Sequence, residues 1–348
     1  MIRITHNERK APVLRLPALV TGATSGLGRQ LCTKLAGQGY EVRALVNPHR
    51  GGEQHPLNLP GHVTTYSADI TLPNASDRKT LVGACSGVGT IFHAAGATFN
   101  HKFTFEQLKR INVGGTENLI SAALEANRGN RNGIRFVYTS SVTVYGYRKP
   151  GHTITEGSKP DPRSDYSRSK LMAEQVVRHY AAGNPNISFT IMRLGTLYGP
   201  GYERPFFKVF KLIRDGKMRY VGKPTNHLTL VHVEDAADAE IDAAMSDAAA
   251  GKVYNVVDVV PHTEEELFEL AAKYLKVSPP EKTIDRRIAM LMGNVTKVNK
   301  DEIEFLASDR IVSTHAIESE LGFEPKRTIG VDGAKMVKEF IDKESNVG

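Results

Sequence analysis

Cysteine is scarce in this chain of 348 residues, where Cys32 and Cys85 are the only two. Two give neither a disulfide framework nor the spacing of a metal site. They suit a reducing cytoplasm, where the protein is expected, and no metal is expected. Long hydrophobic runs are also missing. No apolar stretch approaches the ~18 residues of a membrane helix. The opening Met1-Ile2-Arg3-Ile4-Thr5-His6-Asn7-Glu8-Arg9-Lys10 has no apolar core and no small-residue cleavage site, so neither a membrane partner nor a secretory signal is expected. Blocks of one charge are absent as well. The formal charge of +7 comes from 45 Lys and Arg scattered among 38 Asp and Glu. This gives no clustered nucleic-acid footprint, and its plainer consequence is a basic surface that attracts an anionic cofactor or substrate. There is no internal repeat and no low-complexity tract. What remains, 40% hydrophobic and 24% charged residues, builds an ordinary core in one large or two unequal domains.

What is present is an alternation of strands and helices. Residues 1–16 read as a polar extension. Pro17-Ala18-Leu19-Val20 enters the turn Thr21-Gly22-Ala23-Thr24-Ser25-Gly26-Leu27-Gly28. Leu27, Leu31 and Leu35 then follow at helical spacing until Gly37-Gln38-Gly39 stops the helix. Residues 40–46 read as a second strand, which completes a strand, glycine turn, helix, strand unit. Further strands are predicted at 63–66, 89–93, 135–138 and 187–192, and helices at about 104–127 and 165–182. Met172, Val176 and Tyr180 mark the latter helix in i, i+4 order. The fold class is therefore α/β, a Rossmann-type doubly wound parallel sheet covered on both faces. After Gly195 the pattern loosens into the turn Gly199-Pro200-Gly201, a helix from Phe206, a returning strand near 252–258 and Pro279-Pro280. The expected division is a dinucleotide-binding domain over 1–195 with that returning strand, and a smaller, interleaved substrate domain over 196–348.

Gly22, Gly26 and Gly28 let the backbone turn tightly and approach a pyrophosphate, with Thr24, Ser25 and Leu27 in the same turn. The helix that begins there aims free N–H groups and its positive end at phosphates. An isolated glycine triplet is often only a turn, but this one joins a strand to a helix. The second strand ends in Val46-Asn47-Pro48-His49-Arg50. No acid is present there to bind the ribose 2′-hydroxyl of NAD, and Arg50 can pair with a phosphate, so NADP is preferred to NAD, with Asn47 and Arg50 as candidate contacts. The bland alternative for Arg50 is a solvated loop charge. Asp69, beside Ile70, is placed to accept from the adenine amino group, or else to turn the chain or cap a helix. Ala94, Ala95 and Gly96, which end the fourth strand, count among the cofactor contacts.

Tyr166 and Lys170 share one helix face because four residues make about one turn. A free phenol has a pKa of about 10, leaving ~0.1% phenolate near neutrality, and a nearby ammonium lowers that pKa. A tyrosine so tuned takes the proton of an alcohol or returns one to a carbonyl oxygen. Ser141 is placed to hydrogen-bond the same oxygen, Thr143 to share that task, and Lys170 to grip the nicotinamide ribose. A lone Tyr-x-x-x-Lys is usually an exposed helix face. Ser141, at the end of a strand of the same sheet, weighs the other way.

These residues resemble the extended branch of the short-chain dehydrogenase/reductase superfamily, the NAD(P)-dependent epimerase/dehydratase and 3β-hydroxysteroid-dehydrogenase-like proteins. The likeness covers about residues 15–340. It is carried by Thr21 to Gly28, Ala68-Asp69-Ile70, His93-Ala94-Ala95, Asn112-Val113-x-Gly115-Thr116, Ser140 to Gly146, Tyr166-x-x-x-Lys170, Leu197 to Gly201 and Val231 to Asp235. It implies that Tyr166 is the acid/base, that Lys170 supports it and that Ser141 or Thr143 orients the substrate. It implies for Asn112 either a helix bend with an ordered water or a purely structural role. It also implies a homodimer through the helices at about 104–127 and 165–182.

Four departures stand out. Ser25 occupies the usual place of the middle glycine of the extended branch. Val142-Thr143 replaces the Asp-Glu pair of the sugar-nucleotide dehydratases, which argues against elimination of water. Leu228 stands where epimerases commonly carry an arginine for the substrate diphosphate, with Lys208, Lys211 or Arg219 as candidate substitutes. Arg193-Leu194-Gly195-Thr196 lacks the usual proline. The expected function is an oxidoreductase that interconverts a secondary alcohol and a ketone on a small-molecule substrate. The alternatives are a nucleotide-sugar epimerase with retained NAD and, from another class, a non-catalytic dinucleotide sensor or RNA-associated protein. Phe206, Phe207 and residues in the 280s–300s are expected to line the substrate pocket.

Overall fold

Short runs of valine, isoleucine, leucine and phenylalanine become seven strands of one sheet. They are β1 (Ala18–Thr21), β2 (Val42–Val46), β3 (Val63–Ser67), β4 (Thr90–His93), β5 (Ile134–Ser141), β6 (Ile187–Leu194) and β7 (Lys252–Val256). The computed structural model describes residues 14–48, 63–72, 74–98, 103–130, 133–146, 151–285, 287–289, 291 and 308–345. The strand order is β7-β6-β5-β4-β1-β2-β3 and every pairing is parallel. β1 and β4 are buried along their whole length, as expected for a sheet covered on both faces. Strand order reverses between β1 and β4, and in such sheets the crevice beyond the carboxyl ends at this point is where ligands bind. β4 ends at His93, opposite Thr21 on one side and Tyr138 on the other, so Thr139 to Ser141 of β5 project past it.

Helices α1 (Gly26–Gly37), α2 (Ala75–Cys85), α3 (Phe105–Leu108), α4 (Gly115–Ala126), α5 (Asp165–Gly183), α6 (Glu203–Arg214), α7 (Val233–Met245) and α8 (Glu264–Leu275) surround the sheet. Leu27, Leu31 and Leu35 of α1 share one core with Ala236, Ala237 and Ile241 of α7 and with Val137 of β5. On the other face, Leu119, Ile120 and Ala123 of α4 and Ala173 and Val177 of α5 pack on Tyr138 and Ile91. A third core gathers Tyr198, Phe206, Phe210, Phe268 and Phe340 between α6, α8 and the C-terminal helix Ile329–Ser345. No helix among the described residues is long and apolar enough to cross a membrane.

Two helices differ from their sequence reading. The helix expected over 104–127 starts at a Thr104–Gln107 capping box, but a π-helical segment, Lys109–Gly114, separates α3 from α4. A single inserted residue of this kind is invisible to helical periodicity. It accompanies the inward turn of Asn112, whose side chain bonds Ala97 and Ser169. In α5, Met172, Val176 and Tyr180 lie on a stripe that is only half-buried. The deeply buried face carries Ser169, Lys170, Ala173, Glu174 and Val177 instead. Two charged residues, Lys170 and Glu174, therefore face the sheet.

Candidate active site

The glycine turn is shaped by close backbone approaches. Gly22 has φ +69°, and a Cβ there would lie 2.8 Å from the Ala95 nitrogen and 2.9 Å from the Ala94 carbonyl carbon. Gly28 seats α1 against the turn, since a Cβ on it would meet the Gly22 oxygen at 2.2 Å. The Ser25 hydroxyl caps α1 by accepting the Gly28 N–H at 3.0 Å, and Arg29 donates to the Thr24 carbonyl at 3.2 Å. Gly26 faces a residue that the sequence reading missed. A Cβ on Gly26 would lie 2.6 Å from the Tyr202 ring, and the Leu27 N–H donates to the Tyr202 hydroxyl at 3.4 Å. Gly199 and Gly201, at φ +93° and +91°, bring that tyrosine in from the turn after Tyr198. A turn lined by backbone at Gly22 and Gly28, at the N-terminus of a helix, fits a dinucleotide pyrophosphate.

The remaining cofactor candidates flank the turn. Asn47 is exposed immediately after β2, while Arg50 lies outside the described residues. Asp69 uses one carboxylate oxygen to accept the Thr71 N–H at 2.8 Å, the turn-forming alternative for this residue. Ile70 packs on Gly115, and its carbonyl accepts from Asn118. Ala94, Ala95 and Gly96 lead away from β4, and Gly96 sits beside the Asn112 amide oxygen and Lys170.

A polar chain ties these pieces together. Thr116 donates its hydroxyl proton to the Asn112 carbonyl at 2.6 Å, so His93 must donate through Nε2 to Thr116 at 2.9 Å. His93 Nδ1 then accepts from Thr21 at 2.8 Å, and Thr21 in turn accepts the Ala95 N–H at 3.1 Å. Burial first, and Lys170 second, push His93 down to about 3, so it is a neutral strut.

At the end of β5 the acid–base candidates converge. The Thr143 hydroxyl donates to the Ser141 hydroxyl oxygen at 3.0 Å, and the Thr143 N–H also points to it. The Ser141 hydroxyl is hydrogen-bonded to the Tyr166 phenol. Tyr166 is half-buried as a residue, but its hydroxyl end is enclosed. Burial pushes that phenol up to about 12, with the Ser141 hydrogen bond opposing and Tyr202 adding to the rise. The expected lowering by Lys170 is not what this structure displays. The Lys170 ammonium donates to the Thr139 carbonyl at 2.6 Å and lies 4.9 Å from the centre of the Tyr138 ring. Burial pushes Lys170 down to about 8, opposed by Glu240 and Glu174.

Below the site, Glu174 is fully buried and bidentate to Arg193, at 2.9 and 2.7 Å, while Ser140 donates to it at 2.7 Å. Arg193 lies 4.7 Å from the centre of the Tyr145 ring, so the arginine of the stretch that lacks the family's proline anchors the floor of the site. Glu240, on the other face, accepts the Thr139 hydroxyl at 2.7 Å.

The expected substrate-side residues are placed differently. Phe206 is buried and Phe207 half-buried in the third core, where both rings meet Phe210 at a tilt and Phe207 also meets Phe340, because α6 turns its aromatic stripe inward. Leu228 is buried. Lys208 and Lys211 are exposed on α6, and Arg219 donates to the Gly216 and Met218 carbonyls.

Comparison with known proteins agrees with this architecture. The family model "NAD dependent epimerase/dehydratase family" matches residues 18–257, more than half of the chain. The 3 beta-hydroxysteroid dehydrogenase/Delta 5-->4-isomerase of Mycobacterium tuberculosis is 30% identical over 74% of this chain and 68% of its own. The 2-alkyl-3-oxoalkanoate reductase of Stenotrophomonas maltophilia is 28% identical over 80% of this chain and 81% of its own. Among solved structures, the dTDP-glucose 4,6-dehydratase DesIV of Streptomyces venezuelae, with NAD bound, superposes with a TM-score of 0.75 at 23% identity, over 95% of this chain and 98% of its own. The chain therefore belongs to the NAD-dependent epimerase/dehydratase family, the extended short-chain dehydrogenase/reductases.

Proposed function

We propose that the protein is an NAD(P)-dependent oxidoreductase that interconverts a secondary alcohol and a ketone on a small organic substrate. The observation that carries this reading is the convergence of the Ser141, Thr143 and Tyr166 hydroxyls at the end of β5, with Lys170 one helical turn from Tyr166. Bound nicotinamide supplies or accepts the hydride at the reacting carbon. Tyr166 gives its proton to the carbonyl oxygen. Its phenol, pushed up to about 12 by burial, carries its proton throughout the neutral range. Ser141, supported by Thr143, orients the substrate oxygen, and Lys170 grips the ribose.

Gly22, Thr24, Ser25, Gly26, Leu27 and Gly28 hold the pyrophosphate in this reading, with Asp69 and Ile70 at the adenine end. Exposed Asn47, where an acid would select NAD, favours NADP. Substrate recognition falls to the part of the chain after residue 195. A homodimer through α4 and α5 belongs to the same proposal, since the Met172, Val176 and Tyr180 stripe stays half-buried within one chain.

The nucleotide-sugar epimerase reading uses the same acid–base groups. Buried Leu228, with Lys208 and Lys211 exposed and Arg219 tied to its own turn, weighs against a diphosphate seat among the described residues. Purified protein titrated with NADPH and NADH, then offered a panel of ketones, tests the proposal. Enhanced NADPH fluorescence and ketone-dependent oxidation are expected. Tightly retained NAD with no net oxidation of added NADPH would contradict it.

A further inference from the structure

We infer that Glu240 is a positioning residue for Lys170, a buried carboxylate that reaches the lysine through Thr139 from the opposite face of the sheet. The inference rests on Lys170 being the residue that grips the cofactor ribose.

Side chains alternate along β5. Tyr138 and Ser140 face α5, the former packing with Ala173 and Val177 and the latter donating to Glu174. Thr139 points the other way, to α7. Because β4 ends opposite Tyr138, Thr139 has no paired residue in that strand. Its carbonyl accepts from Lys170 Nζ at 2.6 Å, while its hydroxyl donates to Glu240 at 2.7 Å. One residue thus holds the ammonium and the carboxylate together across the sheet.

Glu240 is 0% exposed, and its second carboxylate oxygen has no hydrogen-bond partner. It stands on the apolar stripe of α7 with Ala236, Ala237, Ala243 and Ala244, where an alanine or valine satisfies packing without burying a charge. The cost of keeping a carboxylate there calls for a partner. Lys170 is the one charged side chain acting on Glu240 among the described residues. Lys170 feels Glu240 from α7 and Glu174 from its own helix, and neutral His93 from β4 faces it. Glu174 is already neutralised by its two bonds to Arg193. Two other acids of α7 have cations of their own, Asp238 paired with Lys34 and Asp235 with Arg327. Glu240 is therefore the counter-charge left for Lys170. Burial moves the carboxyl up to about 7 and the amine down to about 8, so the state of either group controls the other near neutrality.

Removing the negative charge lowers Lys170 further, so the ammonium is lost at a lower pH. The test is trace acetylation of Lys170, read by peptide mass spectrometry across pH, in wild type, Glu240→Gln and Thr139→Val. The midpoint for Lys170 is expected to fall by about one pH unit in Glu240→Gln, and by less in Thr139→Val. NADPH affinity is expected to weaken roughly threefold to tenfold at mildly alkaline pH in Glu240→Gln, with the pH dependence abolished by Lys170→Met. An unshifted midpoint in both folded variants overturns the inference. A shifted midpoint in a protein that binds no dinucleotide at any pH contradicts the cofactor reading instead, leaving the Glu240–Lys170 link in place.

Discussion

The two ends of the crevice are built on opposite principles. At the glycine turn the chain withholds side chains, and Gly22 and Gly28 bring backbone against backbone while Gly26 admits the Tyr202 ring. At the end of β5 it buries charge, with Lys170, Glu174, Arg193 and Glu240 all at 6% exposure or less. The first end depends on shape. The second depends on compensation, because each buried ion is tolerable only while its partner is present. The contrast separates substitutions that crowd the fold from substitutions that leave a charge alone.

Breaking the compensated end carries the largest expected effect. Glu174→Ala leaves Arg193 buried and unpaired, and a loss of about 3–5 kcal/mol is expected in chemical denaturation. Burial acts to raise the Glu174 carboxyl, but the hydrogen bonds and charge of Arg193, with Ser140 and Arg178, hold it below its usual range. The sign follows from that lowered value. The contribution is complete above the ordinary carboxylate pKa of 4.5 and is lost as pH falls through the lower folded value. The acid-side decline in stability should therefore be blunted in Glu174→Ala.

Breaking the other end is next in size. Gly28→Ala forces a Cβ to within 2.2 Å of the Gly22 oxygen, for an expected loss of about 1–3 kcal/mol. It should also bring a fall in NADPH affinity that does not vary with pH. A smaller change sharpens the comparison. The Leu27 N–H, a phosphate donor in the proposed cofactor site, donates to the Tyr202 hydroxyl, so Tyr202→Phe is expected to tighten NADPH binding by up to about 1 kcal/mol in a fluorescence titration.

The same contrast explains what the sequence made legible. Thr21 to Gly28 and the Tyr166/Lys170 pair are local patterns at fixed spacing, and alternating apolar runs were enough to place all seven strands. The missed residues act across long separations. Thr139 meets Lys170 over 31 positions, Glu240 meets Thr139 over 101, and Tyr202 meets Leu27 over 175. Glu240 left one local trace, an acid on the apolar stripe of α7, but its partner is known only once β5 is in place. The π-helical segment escaped because periodicity averages over one inserted residue. Phe206 and Phe207 were misplaced because an aromatic pair looks alike whether it lines a pocket or closes a core.

Proton donation by the Tyr166 phenol beside bound nicotinamide is the central proposal. The most direct measurement is single-turnover reduction of an accepted ketone by NADPH-loaded protein, comparing wild type with Tyr166→Phe. Unchanged NADPH affinity and a rate lowered by about 100-fold or more are expected in the variant. Full turnover by Tyr166→Phe would contradict the proposal.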